Sequence, residues 1–360
     1  MFRIAIFIFS FVVSWLVTRW LVRARWQKLD LPNARSSHAQ PTPRLGGLGI
    51  VAAFIPAMLW VMSQPGRHEM TVPKPGWLLA GWLLAGLLVM AVVGLVDDLR
   101  SISPLVKYLG QLGAAALILW GGVRLGEIAL PFGVRLSFGM IGALVTIIWL
   151  TGFSNIFNFM DGIDGLAGGT GAIYSLALSA VSFGTGHDVV GAAGLSLAAG
   201  CFGFLAHNFP PAKIFMGDVG SLFVGFALAA LAVMLSSGEA QVPFPAVLLI
   251  CGPFLYDGTL TLARRLWRGE KIWLAHRSHL YQRLVIAGHS HQRVTLIYYL
   301  LSLALGVAGV AYAFSGEVLR LLILVFSGTM LAVFTAYVCR AEAAAENSAQ
   351  AGPAEAAGQL

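Results

Sequence analysis

Unbroken apolar stretches of about twenty residues recur along this 360-residue chain, and they leave it few ways to fold. A helix rising about 1.5 Å per residue needs roughly 20 apolar residues to cross the hydrocarbon layer of a bilayer. Only 11% of the residues are Asp, Glu, Lys or Arg and 58% are apolar, where a soluble domain carries roughly 25% charged residues. A water-soluble fold is therefore excluded, and the chain is expected to be an all-α polytopic integral membrane protein. The longest gap between apolar runs, residues 263–292, is too short to bury a core of its own. Residues 1–340 thus read as a single transmembrane domain, and the Ala-rich stretch 341–360 as a disordered tail. Cys201, Cys251 and Cys339 each lie in an apolar run, outside metal-ligand or CxxC spacing. The first run ends in Thr18-Arg19-Trp20 without a small-residue cleavage site, so it is expected to be a retained first span.

Hydropathy places spans at 2–22, 45–63, 77–96, 105–122, 138–154, 166–183, 189–207, 219–237, 243–262, 294–314 and 318–339, eleven in all. Of the 23 Lys and Arg residues, 16 fall in or within three residues of loops that follow odd-numbered spans and 6 in or within three residues of the other loops or the N-terminus, with Arg19 deeper in the first span. The positive-inside bias then puts the N-terminus on the periplasmic side and the C-terminus in the cytoplasm. The cytoplasmic loops are 23–44, 97–104, 154–165, 208–218 and 263–292. Six of the eight aspartates lie in those loops and Asp257 lies near them, which leaves Asp188 facing out. Carboxylates at the mouths of spans are costly to desolvate without a partner, so this grouping points to function.

Five polar segments meet that surface. Asp97-Asp98 closes the third span; adjacent carboxylates repel, so the pair wants a cation or a shared proton, and a helix C-terminus is an unfavourable place for their negative charge. Lys107 is a candidate partner or phosphate ligand. In Ser154-Asn155-Ile-Phe-Asn158-Phe-Met-Asp161-Gly162-Ile-Asp164-Gly165 two amides and two carboxylates recur at every third residue. They share a face if the helix tightens or breaks at the glycines, and they suit a hard cation and a hydrogen-bonding ligand. The calcium-loop pattern is absent. Asn208 through Phe215-Met-Gly217-Asp218-Val-Gly220-Ser221 sets Asp218 at a helix start, where it reads equally as an N-cap or as an oxygen ligand for Mg²⁺ beside phosphates. His276-Arg277-Ser-His279-Leu-Tyr281-Gln282-Arg283 interleaves histidine and arginine, suited to anionic headgroups or to a diphosphate. The loop carrying Arg44 is punctuated by Pro and Gly and reads as a headgroup-touching turn segment. Neither a zinc motif nor a nucleic-acid motif is present.

The order DD, NxxNxxDGxDG, N-x(6)-F-M-G-D-x-G-S and a His/Arg loop over eleven spans resembles the polyprenyl-phosphate N-acetylhexosamine-1-phosphate transferases, the family of the WecA-type and MraY-type enzymes. The resemblance covers nearly all of the chain. It implies a bacterial inner-membrane enzyme, active at the cytoplasmic face. Such an enzyme transfers N-acetylhexosamine 1-phosphate from a UDP-sugar to undecaprenyl phosphate and releases UMP, as an initiating step of O-antigen or other cell-surface polysaccharide synthesis. It also implies Mg²⁺, with Mn²⁺ as a substitute, and leaves a homodimer open. Carried over by motif, Asp218 would ligate the metal with Asn158 as a second contributor, and Asp97 and Asp98 would act at the acceptor phosphate. Asn155, Asp161, Asp164, Asn208 and Phe215 would line the nucleotide-sugar site, Phe215 by stacking on uracil. Arg277, His279 and Arg283 would hold the diphosphate or sugar, with Lys107 and Arg44 as further substrate ligands. Tyr281 and Gln282 stand where the WecA-type run has histidines, and the three-histidine cluster of the peptidoglycan enzymes is missing. The HRSHLYQRL wording is similar to the WbpL-like branch, whose donors are 6-deoxy-N-acetylhexosamines such as FucNAc or QuiNAc. The donor is thus left open between GlcNAc and these.

Phosphoryl transfer is chiefly positioning and charge neutralisation. Direct attack by the lipid phosphate competes with a two-step route through an aspartyl phosphate. From other classes, an ion-coupled transporter would place its charges near mid-membrane and show repeats. A CDP-alcohol phosphotransferase fails on the spacing of Asp257-Gly258 to Ala263-Arg264.

Overall fold

The computed structural model describes residues 1–24, 29–30, 41–64, 76–237, 242–271 and 276–357. Most of the expected loop 23–44, and 272–275 of the loop 263–292, lie outside the described residues. The architecture is helical: α1 (Phe2–Arg23), α2 (Gly47–Met62), α3 (Gly76–Arg100), α4 (Pro104–Trp120), α5 (Gly142–Phe159), α6 (Leu166–Gly184), α7 (Asp188–Asn208), α8 (Gly217–Ser236), α9 (Phe244–Ile250), α10 (Gly252–Trp267), α11 (Leu280–Ile286), α12 (His291–Phe314) and α13 (Glu317–Ala357). Two short antiparallel pairs accompany them, β1 (Leu29–Asp30) with β2 (Thr42–Pro43), and β3 (Glu127–Ala129) with β4 (Arg135–Ser137).

Among the described residues, eight helices are long and apolar enough to cross a membrane; α9 and α10 together form a bent ninth candidate, and α2 and α4 are shorter apolar helices. The chain is a multi-pass helical membrane protein. Its axis is α8, buried along its whole span. A helix apolar on every side needs packing on every side, and α2, α3, α5, α6, α7 and α9 supply it. Small residues let the backbones approach. A Cβ on Gly47 of α2 would lie 2.2 Å from the Cα of Gly220 in α8, and one on Gly94 of α3 would lie 2.4 Å from the carbonyl oxygen of Asp218. Between α1 and α7, Ser10 meets Ser196 at 2.8 Å and Ser14 donates to the carbonyl of Gly200 at 2.6 Å.

Two expectations change. The span expected at 243–262 is broken after Ile250, and α9 and α10 meet at 86°. Pro253 has no N–H to donate, which costs nothing in the first turn of a new helix but would break an uninterrupted one. Phe254, Asp257, Gly258, Thr261 and Arg265 form the buried face of α10, while Leu266 and Trp267 are exposed at its end. The tail expected to be disordered from 341 continues α13 as helix to Ala357. Alanine and glutamate dominate the stretch, and both are strong helix formers.

Candidate active site

The expected site residues gather at one end of the bundle, because neighbouring helices run antiparallel. The C-terminal ends of α3, α5 and α7 meet the N-terminal ends of α4 and α8 there. Ser103 caps α4, accepting from the Val106 amide, and Pro104 opens the helix. This fixes Lys107 one turn in. Its ammonium lies 2.7 Å from Oδ2 of Asp97 and also contacts Oδ2 of Asp218, so one cation joins two carboxylates from different helices. Asp218 accepts at Oδ1 from the Asn158 amide at 2.9 Å, and the same NH₂ group donates to Ser221 at 2.7 Å. Asp97, Lys107, Asn158 and Asp218 therefore form one cluster.

Asp98 does something else. It is almost wholly buried, with Oδ1 accepting from the Asp218 amide at 3.1 Å and Oδ2 from the Val219 amide at 2.9 Å. It thus caps α8 from a helix 120 residues away in sequence. Arg44 supplies its cation, Nε lying 3.3 Å from Oδ1, and Nη2 donates to the carbonyl oxygens of Asp97 and Asp98 at the end of α3. The repelling pair is resolved by giving each carboxylate its own partner. The awkward charge at the end of α3 becomes a favourable one at the start of α8.

Gly217 makes this close approach feasible. Its φ is +70°, and a Cβ there would stand 2.1 Å from the Arg44 carbonyl oxygen and 2.7 Å from Oδ2 of Asp98. Gly217→Ala is expected to cost about 1–3 kcal/mol in backbone strain alone, read as a lower melting midpoint of the detergent-purified protein. Next to it, Phe215 is held by its backbone. Its N–H donates to the Pro43 carbonyl at 2.7 Å and its carbonyl accepts from the Gly46 amide at 2.9 Å, which leaves the ring partly exposed beside the cluster.

The NxxNxxDGxDG segment divides between helix and turn. Asn155 and Asn158 lie in α5, and the chain leaves the helix at Met160. Asn155 pairs reciprocally with Gln111 of α4 at 2.7 and 3.0 Å. Gln111 was not singled out in the sequence, although it follows Lys107 by one helical turn on the same face. Asp161 lies in the turn, its N–H donating to the Asn158 backbone carbonyl at 3.2 Å, and its carboxylate makes no hydrogen bond among the described residues. Burial, and then the carboxylates of Asp218, Asp98 and Asp164, push its carboxyl well above the usual range. Asp164 instead holds the following loop, with Oδ2 accepting from the Ala212 amide at 3.0 Å and Oδ1 lying 3.7 Å from His291. Asn208 does likewise, accepting from Gly165 at 3.0 Å and donating to the Ile214 carbonyl at 2.9 Å. Both shape the site from behind its surface.

The basic segment also divides. Arg277 and His276 are partly buried, and burial, followed by the nearby His279 and Arg265, lowers the His276 pKa to about 4. Arg283, expected to hold a diphosphate or sugar, is engaged elsewhere: its guanidinium forks onto both carboxylate oxygens of Glu342 on α13. Nothing in the sequence could have shown this, because Glu342 falls in the stretch expected to be disordered. His279 lies at 2% exposure on the start of α11, its Nδ1 3.1 Å from Asp257.

Asp97, Asp218 and the Asn158 side-chain carbonyl form an oxygen donor set, which suits a hard cation such as Mg²⁺. The side-chain oxygen of Asn158, Oδ1, accepts nothing among the described residues, and the lysine between the two carboxylates shows that their arrangement already accommodates positive charge. Among the described residues no three His, Cys, Asp or Glu come together as a metal-ligand group, so any ion here would draw on the amide as well as the carboxylates.

A buried helical bundle with a carboxylate, amide and lysine cluster at one end defines a multi-pass membrane protein with its charged groups gathered at that end. The sequence comparisons narrow this class. The model of glycosyl transferase family 4 matches residues 80–236. A decaprenyl-phosphate N-acetylglucosaminephosphotransferase of Mycolicibacterium smegmatis is 32% identical over 80% of this chain and 77% of its own. The protein of that name from Mycobacterium tuberculosis is 34% identical over 78% and 74%. A phospho-N-acetylmuramoyl-pentapeptide-transferase of Gloeothece citriformis is 30% identical over 81% and 80%. The chain belongs to glycosyl transferase family 4, the family of the WecA-type and MraY-type transferases.

Proposed function

We propose that this protein transfers N-acetylhexosamine 1-phosphate from a UDP-sugar to undecaprenyl phosphate, releasing UMP, as an initiating step of cell-surface polysaccharide synthesis such as O-antigen. The observation that carries the reading is the cluster of Asp97, Lys107, Asn158 and Asp218, drawn from four helices to one end of the bundle. The relatives named for N-acetylglucosamine support GlcNAc as donor ahead of a 6-deoxy sugar. Eleven crossings, with this end facing the cytoplasm of the inner membrane, agree with the loop charges. The gathering of charge at one end supports a transferase over an ion-coupled transporter.

The acceptor phosphate, with a second pKa near about 6, is already largely ionised at neutral pH. One of its oxygens attacks the β-phosphorus of the donor. The bond from that phosphorus to the bridging oxygen breaks, and UMP leaves with the oxygen. Asp218, Asp97 and Asn158 would hold Mg²⁺, or Mn²⁺ in its place, whose charge neutralises the donor's phosphate oxygens. Lys107, already between the two carboxylates, adds a cation on the path of the phosphates. Asp97 orients the acceptor and takes any remaining proton, while Asp98 holds the first turn of α8 in place. Phe215 presents its ring to uracil, and Arg277 faces the diphosphate.

The test is UMP release by detergent-purified protein given undecaprenyl phosphate, Mg²⁺ and UDP-GlcNAc, UDP-FucNAc or UDP-QuiNAc in turn. Release is expected to stop with EDTA, to return with excess Mg²⁺ or Mn²⁺, and to require the lipid. No release from any donor by folded protein would overturn the reading.

A further inference from the structure

The proposed transfer leaves one buried pair unused. Asp257, on the inner face of α10, is fully buried, and five donors converge on its carboxylate. Oδ1 accepts from Thr261 Oγ1 at 3.1 Å, the Leu280 amide at 2.9 Å and His279 Nδ1 at 3.1 Å. Oδ2 accepts from the Tyr281 amide at 3.2 Å and the Tyr298 hydroxyl at 2.5 Å. Asp257 thus caps α11 and at the same time grips the imidazole that precedes it. A carboxylate fed by donors on every side only accepts, so the His279 proton sits on Nδ1.

The opposite nitrogen, Nε2, is buried and has no hydrogen-bond partner among the described residues. Buried polar atoms without partners are uncommon, and each calls for a water or a ligand. The imidazole lies 6.3 Å from the Phe159 ring and is stacked on Tyr281 at 5.9 Å, centroid to centroid. Tyr281 in turn donates to the Phe159 carbonyl at 3.0 Å. Phe159 follows Asn158, which holds Asp218, and precedes the turn with Asp161. The free nitrogen therefore belongs to a ring clamped from behind and packed between His276, at 5.0 Å, and the segment that carries Asn158 and Asp161.

We propose that Asp257 is a positioning residue of the transfer: it locks His279 in one tautomer and orientation, so that Nε2 meets a polar oxygen of the bound sugar nucleotide. A clamped ring has little freedom to lose on binding, and an Asp–His pair fixes which nitrogen faces the ligand. The inference rests on the function proposed above, and one arm of its test is independent of turnover.

Asparagine places its amide nitrogen near the Nδ1 position of histidine and glutamine near the Nε2 position, so the two variants separate the roles. His279→Asn keeps the link to Asp257 and removes Nε2. It is expected to melt like the wild type and to lose about tenfold or more in kcat/KM for UDP-GlcNAc. His279→Gln is expected to recover most of that loss. Asp257→Asn is expected to slow the wild type but to cost little further in His279→Gln, because its effect passes through the ring. Equal activity of His279→Asn and wild type, or losses from Asp257→Asn and His279→Gln that multiply, would overturn the proposal. The independent arm is the imidazole ¹⁵N spectrum of histidine-labelled protein, with the His279 signals assigned by their loss in His279→Gln. A single Nδ1–H tautomer, disturbed by Asp257→Asn, is expected. Mixed tautomers in the wild type would overturn the role of Asp257 even if every donor tried were inert, whereas inert donors alone would count against the transferase reading.

Discussion

Asp218→Asn should lower UMP release by about a hundred- to a thousandfold, the usual cost of removing one group that stabilises transition-state charge, while the protein still melts close to the wild type. The side chain is bound by Lys107 and by the Asn158 amide, and an asparagine of the same shape keeps room for both. It loses the charge that balances Lys107 and that would bind a divalent ion. Release measured over a series of Mg²⁺ concentrations separates the two losses. A deficit repaired by high Mg²⁺ is weakened metal affinity, and one that persists at saturation is lost charge in the reaction itself. Turnover close to wild type at ordinary Mg²⁺ would remove Asp218 from the chemistry.

Asp98→Ala should fail the other way. Here the expected loss is stability, about 3–5 kcal/mol, because the change breaks a buried ion pair and strands its cation. Arg44 would lose its carboxylate, and the first amides of α8 would lose their acceptor. The melting midpoint in detergent should fall well below that of Asp97→Ala, whose carboxylate is less buried and faces Lys107. Activity should fall in both, but only for Asp98→Ala should it track the unfolded fraction. If the two variants melt together, Asp98 is no cap.

The neighbouring aspartates show how far the sequence could be read. That Asp97-Asp98 needed partners followed from charge repulsion, and Lys107 was within reach by its spacing. That the second carboxylate spends itself on a helix 120 residues later is a fact of tertiary packing, invisible to local pattern. The membrane class was legible because hydropathy is summed over twenty residues, and the cluster because its members sit at the mouths of apolar runs. The break between α9 and α10 was marked by Gly252-Pro253, but an apolar count passes over a proline that sits inside a long run. Glu342 was hidden by composition, since an alanine-rich tail reads the same whether it is free or docked through one ion pair. Asp257 stood in view as a lone intramembrane acid, but its partners come from α10, α11 and α12 and only folding brings them together.

The complete burial of α8 has a mechanical consequence. The helix that presents Asp218 touches protein along its length, so the lateral pressure of the surrounding lipid reaches it only through a jacket of other helices. A change of bilayer thickness or headgroup falls first on α1 and α13, the two most lipid-exposed of the membrane-length helices. Lipid composition should therefore set how fast a hydrophobic acceptor arrives, while the spacing of the charged groups at the core stays insulated from it.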